Sequence, residues 1–220
     1  MTKKLRLGVL ASGGGTNLQS IIDRCQDQSL AAEIAVVISN NPEAGALQRA
    51  AKAGIPQKCI NHRNFASREE FDQAVVTALK ESGVELVVLA GFMRIISDVF
   101  LDAYPMRIIN IHPALLPAFP GLHVQRKAIE YGAKFSGCTV HFVDGGVDTG
   151  PIIIQGVVPI LDNDTEETLA ARILVEEHRI YPKAIQLFAE GRLQVTGRRV
   201  TVLEPQESLQ TSMINPPAGA

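Results

Sequence analysis

The chain has 220 residues, 46% hydrophobic and 20% charged, with a formal net charge of −2. That length allows one substantial core and is short for two full domains, and the balance is that of an ordinary globular protein. The small net charge excludes a global field drawing the chain to nucleic acid or acidic lipid, and no apolar run approaches bilayer length. Residues 5–11 read as a first strand, too short a run for a signal-peptide core with its cleavage site. Further strands are predicted over 33–39, 86–90, 107–111 and 139–143, with a weaker one over 57–60. Their nearly continuous apolar character suits strands covered on both faces. Helical spacing lies between them, over 18–24, 46–53 and 67–82, and in the last Phe71, Val75 and Leu79 recur every four residues and face the sheet. Strands alternating with helices predict an α/β fold, Rossmann-like, with a mostly parallel twisted sheet flanked by helices.

The second half changes character. A strand over 151–160 is entered by Pro151, and a long helix is expected from about Thr165 to Phe188, with Asp164 or Thr165 as N-cap. Pro182 lies inside it, so a kink or break is expected there. After Gly191, residues 193–203 read as a small hairpin turning at Gly197-Arg198. From Glu204 the chain is polar, then rich in Pro, Gly and Ala, and is expected to be loosely held. With no repeat and no linker, the expectation is a single domain over 1–203 followed by a tail over 204–220. The three cysteines, Cys25, Cys59 and Cys138, form no CxxC pair, so neither a zinc site nor a disulfide framework is expected, and a reducing, cytoplasmic setting is the simplest reading.

Ligands in open parallel sheets bind at the carboxyl ends of the strands. Three unusual loops follow predicted strands, at residues 12–17, 112–121 and 144–150, and are expected to gather at one edge. The first, Ser12-Gly13-Gly14-Gly15-Thr16-Asn17, lets the backbone approach an anion at a helix N-terminus. It lacks the Gly-Lys-Ser/Thr ending of a triphosphate loop, and Leu18 stands where GxGxxG needs a third glycine, so a phosphate monoester fits better than a dinucleotide. A tight turn with Asn17 capping a helix accounts for the loop equally well.

Asn110 and His112 alternate at the end of an apolar strand, so both side chains point the same way, and Pro113 stops the ladder behind them. A polar pair on a buried strand end must find partners or a ligand. A satisfied core histidine is the commoner outcome for a lone histidine. Here the loop from Pro113 to Gly121 carries Pro113, Pro117 and Pro120 and forms a stiff wall, and Asp144-Gly145-Gly146-Val147-Asp148-Thr149-Gly150 supplies two carboxylates.

The combination Asn110-Ile111-His112-Pro113-Ala114-Leu115-Leu116-Pro117 with Asp148-Thr149-Gly150-Pro151 resembles the folate-dependent formyltransferases. The resemblance runs from the glycine loop to about Arg192 and is to the branch acting on glycinamide ribonucleotide. It implies the formyltransferase fold, with Asn110, His112 and Asp148 as a catalytic trio that moves a formyl group from 10-formyltetrahydrofolate to an amine, without a metal. The chemistry suits these residue types: an amide and an imidazole can stabilise a tetrahedral oxyanion, a histidine can take part in proton transfer, and a carboxylate beside it favours its charged form. The resemblance further implies that Gly15, Thr16 and Asn17 hold the ribonucleotide phosphate and that Glu177 binds the same substrate. Without it, Glu176 and Glu177 read as a solvated helix face. The folate side is carried onto Arg68, Met93, Arg94, Ile95, Ile96, Asn110 and Asp144, although an apolar run after a strand is more often plain core. Met93 and the isoleucines would make an apolar slot for the pterin, and Arg68 would attract the folate carboxylates.

The expected partners are small molecules, with no nucleic acid and no membrane, and the expected state is a monomer or homodimer. Methionyl-tRNA formyltransferase shares the motif but carries a tRNA-binding domain, which the short tail argues against. Formyltetrahydrofolate deformylase shares the trio, and its N-terminal regulatory domain is not expected here. A non-catalytic sugar-phosphate binding protein leaves Asn110, His112 and Asp148 unexplained.

Overall fold

A computed structural model describes residues 3–203; the expected tail over 204–220 lies outside the described residues. In chain order the elements are β1 (Leu5–Leu10), α1 (Thr16–Gln26), β2 (Ala32–Ser39), α2 (Gly45–Lys52), β3 (Gln57–Cys59), α3 (Arg68–Glu81), β4 (Leu86–Leu89), α4 (Asp98–Ala103), β5 (Ile108–His112), α5 (Val124–Tyr131), β6 (Phe135–Phe142), β7 (Ile152–Pro159), α6 (Glu166–Ala189), β8 (Leu193–Thr196) and β9 (Arg199–Val202). The strands form one sheet in the order β3-β2-β1-β4-β5-β6-β7-β9-β8. From β3 to β5 every pairing is parallel, whereas β6 runs antiparallel to both β5 and β7.

Both faces of the sheet are covered from β2 to β5. On one side Leu18, Ile21 and Ile22 of α1 and Ile173, Tyr181 and Ile185 of α6 pack on Val9, Val88, Ile109 and Val140. On the other, Phe71, Val75 and Leu79 of α3 and Phe100 of α4 pack on Leu10, Ile38, Val87 and Ile108. The four-residue stripe of α3 therefore faces the sheet as its spacing predicts. Each such side chain contributes about 1.5–3 kcal/mol by leaving water.

Several sequence expectations are corrected. The helices α4 and α5 are not legible in the sequence because one or two turns give too little periodicity to read. Pro182 does not break α6, which runs unbroken from Glu166 to Ala189. Proline there removes one intrahelical hydrogen bond, and its neighbours Tyr181, Ala184 and Ile185 are held in the core. Thr165 is the N-cap, in a capping box with Thr168; Asp164 instead binds the Arg172 guanidinium at 2.7 and 2.8 Å.

Candidate active site

The strand order reverses direction of winding between β1 and β4, and the loops after these two strands are tied to each other there. Ser12 N–H donates to the Gly91 carbonyl at 2.9 Å, and Ser12 Oγ accepts from Met93 N–H at 2.9 Å while donating to Asn40 Oδ1 at 2.6 Å. This is the crevice in which α/β sheets hold ligands.

The glycine loop leads directly into α1. Gly15, with φ +73°, is the N-cap, and no side chain among the described residues caps the helix. Asn17 is therefore not a cap, contrary to one of the two sequence readings. It lies within the first turn of α1, where it is buried and donates through Nδ2 to Glu177 Oε2 at 2.7 Å. Its own Oδ1 is buried with no hydrogen-bond partner among the described residues. Burial raises the Glu177 carboxyl above its ordinary value, with the Asn17 hydrogen bond and the charge of His112 opposing. Arg49, which the sequence reading did not single out, donates from Nε to the Gly14 carbonyl at 2.8 Å. With Thr16, Gln19, Ser20, Asp23 and His178 it lines a cavity of about 210 Å³ beside the loop.

On β5, Asn110 is half-buried and His112 is 5% exposed. His112 Nε2 donates to the Phe119 carbonyl at 3.0 Å, and its Nδ1 stands 3.4 Å from Asp148 Oδ2. That carboxylate oxygen also accepts the Gly121 N–H at 2.9 Å. The trio is thus brought together, but not by three loops sharing one strand edge. Because β6 is antiparallel to β5, its Phe142 lies opposite Ile109, at the far end of β5 from His112, and the Asp148 loop must come back across β5 to reach the histidine. Asp148 and Phe119 both adopt left-handed backbone, with φ +54° and +52°, as do Gln28, Met106 and His123 elsewhere in the chain.

The expected folate residues divide. Met93 is 70% and Ile95 60% exposed, so both are open to a ligand, whereas Ile96 is 9% exposed and packs in the core. The Arg94 guanidinium lies 5.2 Å from the centre of the Phe71 ring. Arg68 is the first residue of α3, after the Ser67 cap, and pairs with Glu69 at 3.3 Å. Asp144 accepts from Gly146 N–H at 3.1 Å and Thr149 Oγ at 2.5 Å, closing its own loop. His141 is missing from the sequence reading. It lies opposite Asn110 across the β5–β6 pairing, a neighbour visible only once the antiparallel register is known.

An amide, an imidazole and a carboxylate thus stand together on a doubly wound sheet whose first strand ends in a glycine loop. Residues 5–185 match the formyl transferase family, and the chain belongs to it. It is 43% identical over 191 residues to the phosphoribosylglycinamide formyltransferase of Escherichia coli K12, an alignment covering 87% of this chain and 90% of that one. The crystal structure of glycinamide ribonucleotide transformylase 1 from Symbiobacterium toebii superposes with a TM-score of 0.91 at 53% identity, covering 93% of this chain and 96% of that one. The trifunctional purine biosynthetic protein adenosine-3 of Drosophila pseudoobscura pseudoobscura is 54% identical over 191 residues, and there this chain spans only 14% of the relative's length.

Proposed function

We propose that this protein transfers the formyl group of 10-formyltetrahydrofolate to the amine of N1-(5-phospho-D-ribosyl)glycinamide, releasing tetrahydrofolate and the formylated ribonucleotide. The observation that carries this reading is the Asp148 carboxylate reaching His112 beside the Asn110 amide. Attack of the amine on the formyl carbon makes a tetrahedral intermediate with a negative oxygen. The Asn110 N–H stabilises that oxygen, and His112 adds a second donor when the substrate oxygen replaces the Phe119 carbonyl at Nε2. The attacking amine loses a proton and the folate nitrogen gains one as the C–N bond breaks. His112 and Asp148 are the groups placed to carry it.

The ribonucleotide lies along the other half of the crevice. Backbone N–H groups at Gly15, Thr16 and Asn17 face the phosphate at the start of α1, and Arg49 contributes the nearby positive charge. Glu177 Oε2 and the orphaned Asn17 Oδ1 are both acceptors, so this end of the site suits a ligand that brings donors, such as ribose hydroxyls or the glycinamide amine. Met93 and Ile95 offer an exposed apolar surface to the pterin, with Arg68 and Arg94 toward the folate carboxylates and the Asp144 loop closing over it. The test is a two-substrate assay following tetrahydrofolate release with and without the ribonucleotide. Release that requires the ribonucleotide supports the proposal; equal release without it identifies a deformylase that uses water as acceptor.

A further inference from the structure

His141 is buried in β6 and has no part in the chemistry above. Its Nδ1 lies 2.8 Å from the Phe142 carbonyl, and its Nε2 lies 3.2 Å from Asn110 Nδ2 and 3.7 Å from Asp148 Oδ1. A carbonyl oxygen only accepts, so Nδ1 carries the hydrogen; an amide nitrogen only donates, so Nε2 presents its lone pair. These contacts assign one tautomer and leave the ring neutral.

We infer that His141 is a positioning residue: its Nε2 lone pair takes one N–H of Asn110 and thereby fixes the direction of the other. An asparagine amide can turn over about its last torsion at little intrinsic cost. Turned the wrong way, Asn110 would present its oxygen rather than its N–H to the developing oxyanion, which is repulsive. The anchor removes that alternative before substrate arrives. The surroundings keep the ring in the state the anchor needs. Burial depresses its basicity, outweighing the Phe142 carbonyl, Asp148 and Asp144, which favour a proton, while His112 opposes one. A neutral His141 also leaves Asp148 to His112; a charged one would compete for the same carboxylate.

This inference rests on the reading that the Asn110 N–H meets the formyl oxygen. Its test is a cycle of His141→Phe and His141→Gln, each made in the native protein and in Asn110→Ala, with kcat and both KM values measured. Loss of an oxyanion donor costs on the order of 100–1,000-fold in kcat, so misdirecting one should cost His141→Phe about 10–100-fold with both KM values little changed. His141→Gln, whose amide oxygen can accept in place of Nε2, should recover most of that loss. In the Asn110→Ala background His141→Phe should change kcat less than about 2-fold, because the group it positions is gone. Equal losses in both backgrounds, or a rise in KM at unchanged kcat, overturn the proposal. A nitrogen NMR spectrum of the native protein decides the tautomer without any variant: Nδ1 protonated and Nε2 bare between pH 6 and 8 supports it, and a doubly protonated ring overturns it. A native enzyme that releases folate without the ribonucleotide refutes the proposed acceptor and leaves the NMR result to decide His141 on its own.

Discussion

Replacing Glu177 with glutamine should stabilise the protein while damaging its site. Glu177 is 7% exposed, and among the described residues its carboxyl receives one hydrogen bond, from Asn17 Nδ2 at 2.7 Å. Holding a carboxylate there costs several kcal/mol in lost hydration, and His112 and one charge-assisted hydrogen bond return only part of it. Glutamine keeps an acceptor for Asn17 Nδ2, and its amide N–H can also satisfy the orphaned Asn17 Oδ1. Weakening the charged hydrogen bond to a neutral one loses about 1 kcal/mol, which leaves a net gain of about 1–2 kcal/mol at pH 8. For a chain of this size that is a rise in Tm of roughly 2–8 °C.

The pH dependence has a definite sign. Burial raises the Glu177 carboxyl above its ordinary value, so the folded protein holds that proton more tightly than the unfolded chain does. The stability this contributes is fully present below the unfolded value of about 4.3 and is lost as pH rises through the raised folded value. Glutamine cannot ionise and suffers no such loss. Thermal unfolding of the two proteins from pH 4 to 8 should therefore give a gap that is small at the acid end and widens with pH. In the same variant the KM for the ribonucleotide should rise. A variant less stable than native at pH 8, or a gap independent of pH, refutes the reasoning.

Tyr181→Phe removes a fully buried hydroxyl that reaches the Leu89 carbonyl at 3.0 Å and the Ile109 carbonyl at 3.1 Å; losing that bond should cost about 0.5–1.5 kcal/mol, read as a lower Tm. Asp148→Asn should lower kcat by roughly 100- to 10,000-fold while equilibrium titration shows folate binding changed only a few-fold, and an unchanged kcat would remove Asp148 from proton transfer. Gly14→Ala adds a Cβ with nothing within 4 Å, so it should raise the ribonucleotide KM, spare the folate KM and leave Tm alone. Gly15→Ala instead forces φ +73° on a side chain whose Cβ would lie 2.8 Å from the Ala46 Cα, and should lower stability by more than about 1 kcal/mol. Indistinguishable melting curves for the two glycine variants would contradict this account of the loop.

The parallel half of the sheet was legible because strands covered on both faces carry apolar runs, as in Val36-Val37-Ile38, and because α3 repeats an apolar residue at Phe71, Val75 and Leu79. Direction is not written in such a run. Residues 139–143 look the same whether the strand is parallel or antiparallel, so the antiparallel pairing of β6 with β5 could not be read. The start of β6 was hidden for a related reason. Ser136-Gly137 has the composition of a turn, yet Gly137 is in the strand because a Cβ there would sit 1.9 Å from the Gly156 carbonyl oxygen. Composition records the small residue; only the partner strand explains it.

The candidate site divides along the same line. Asn110 and His112 were legible as a polar pair ending an apolar strand, a local pattern that burial makes costly unless it is used. Glu177 was not legible from its residues, since it adjoins Glu176 on a charged helix. One residue turns a helix by about 100°: Glu176 therefore pairs with Arg179 at 2.9 Å nearer the surface, while Glu177 points inward to Asn17, 160 positions earlier. His141 was less legible still, because its meaning depends on the register of a strand whose direction is itself unreadable. A residue that acts on the substrate can announce itself by being out of place in its own element. A residue that acts through another, as proposed for His141, is out of place only relative to its partner, and the partner is known only once the chain has folded.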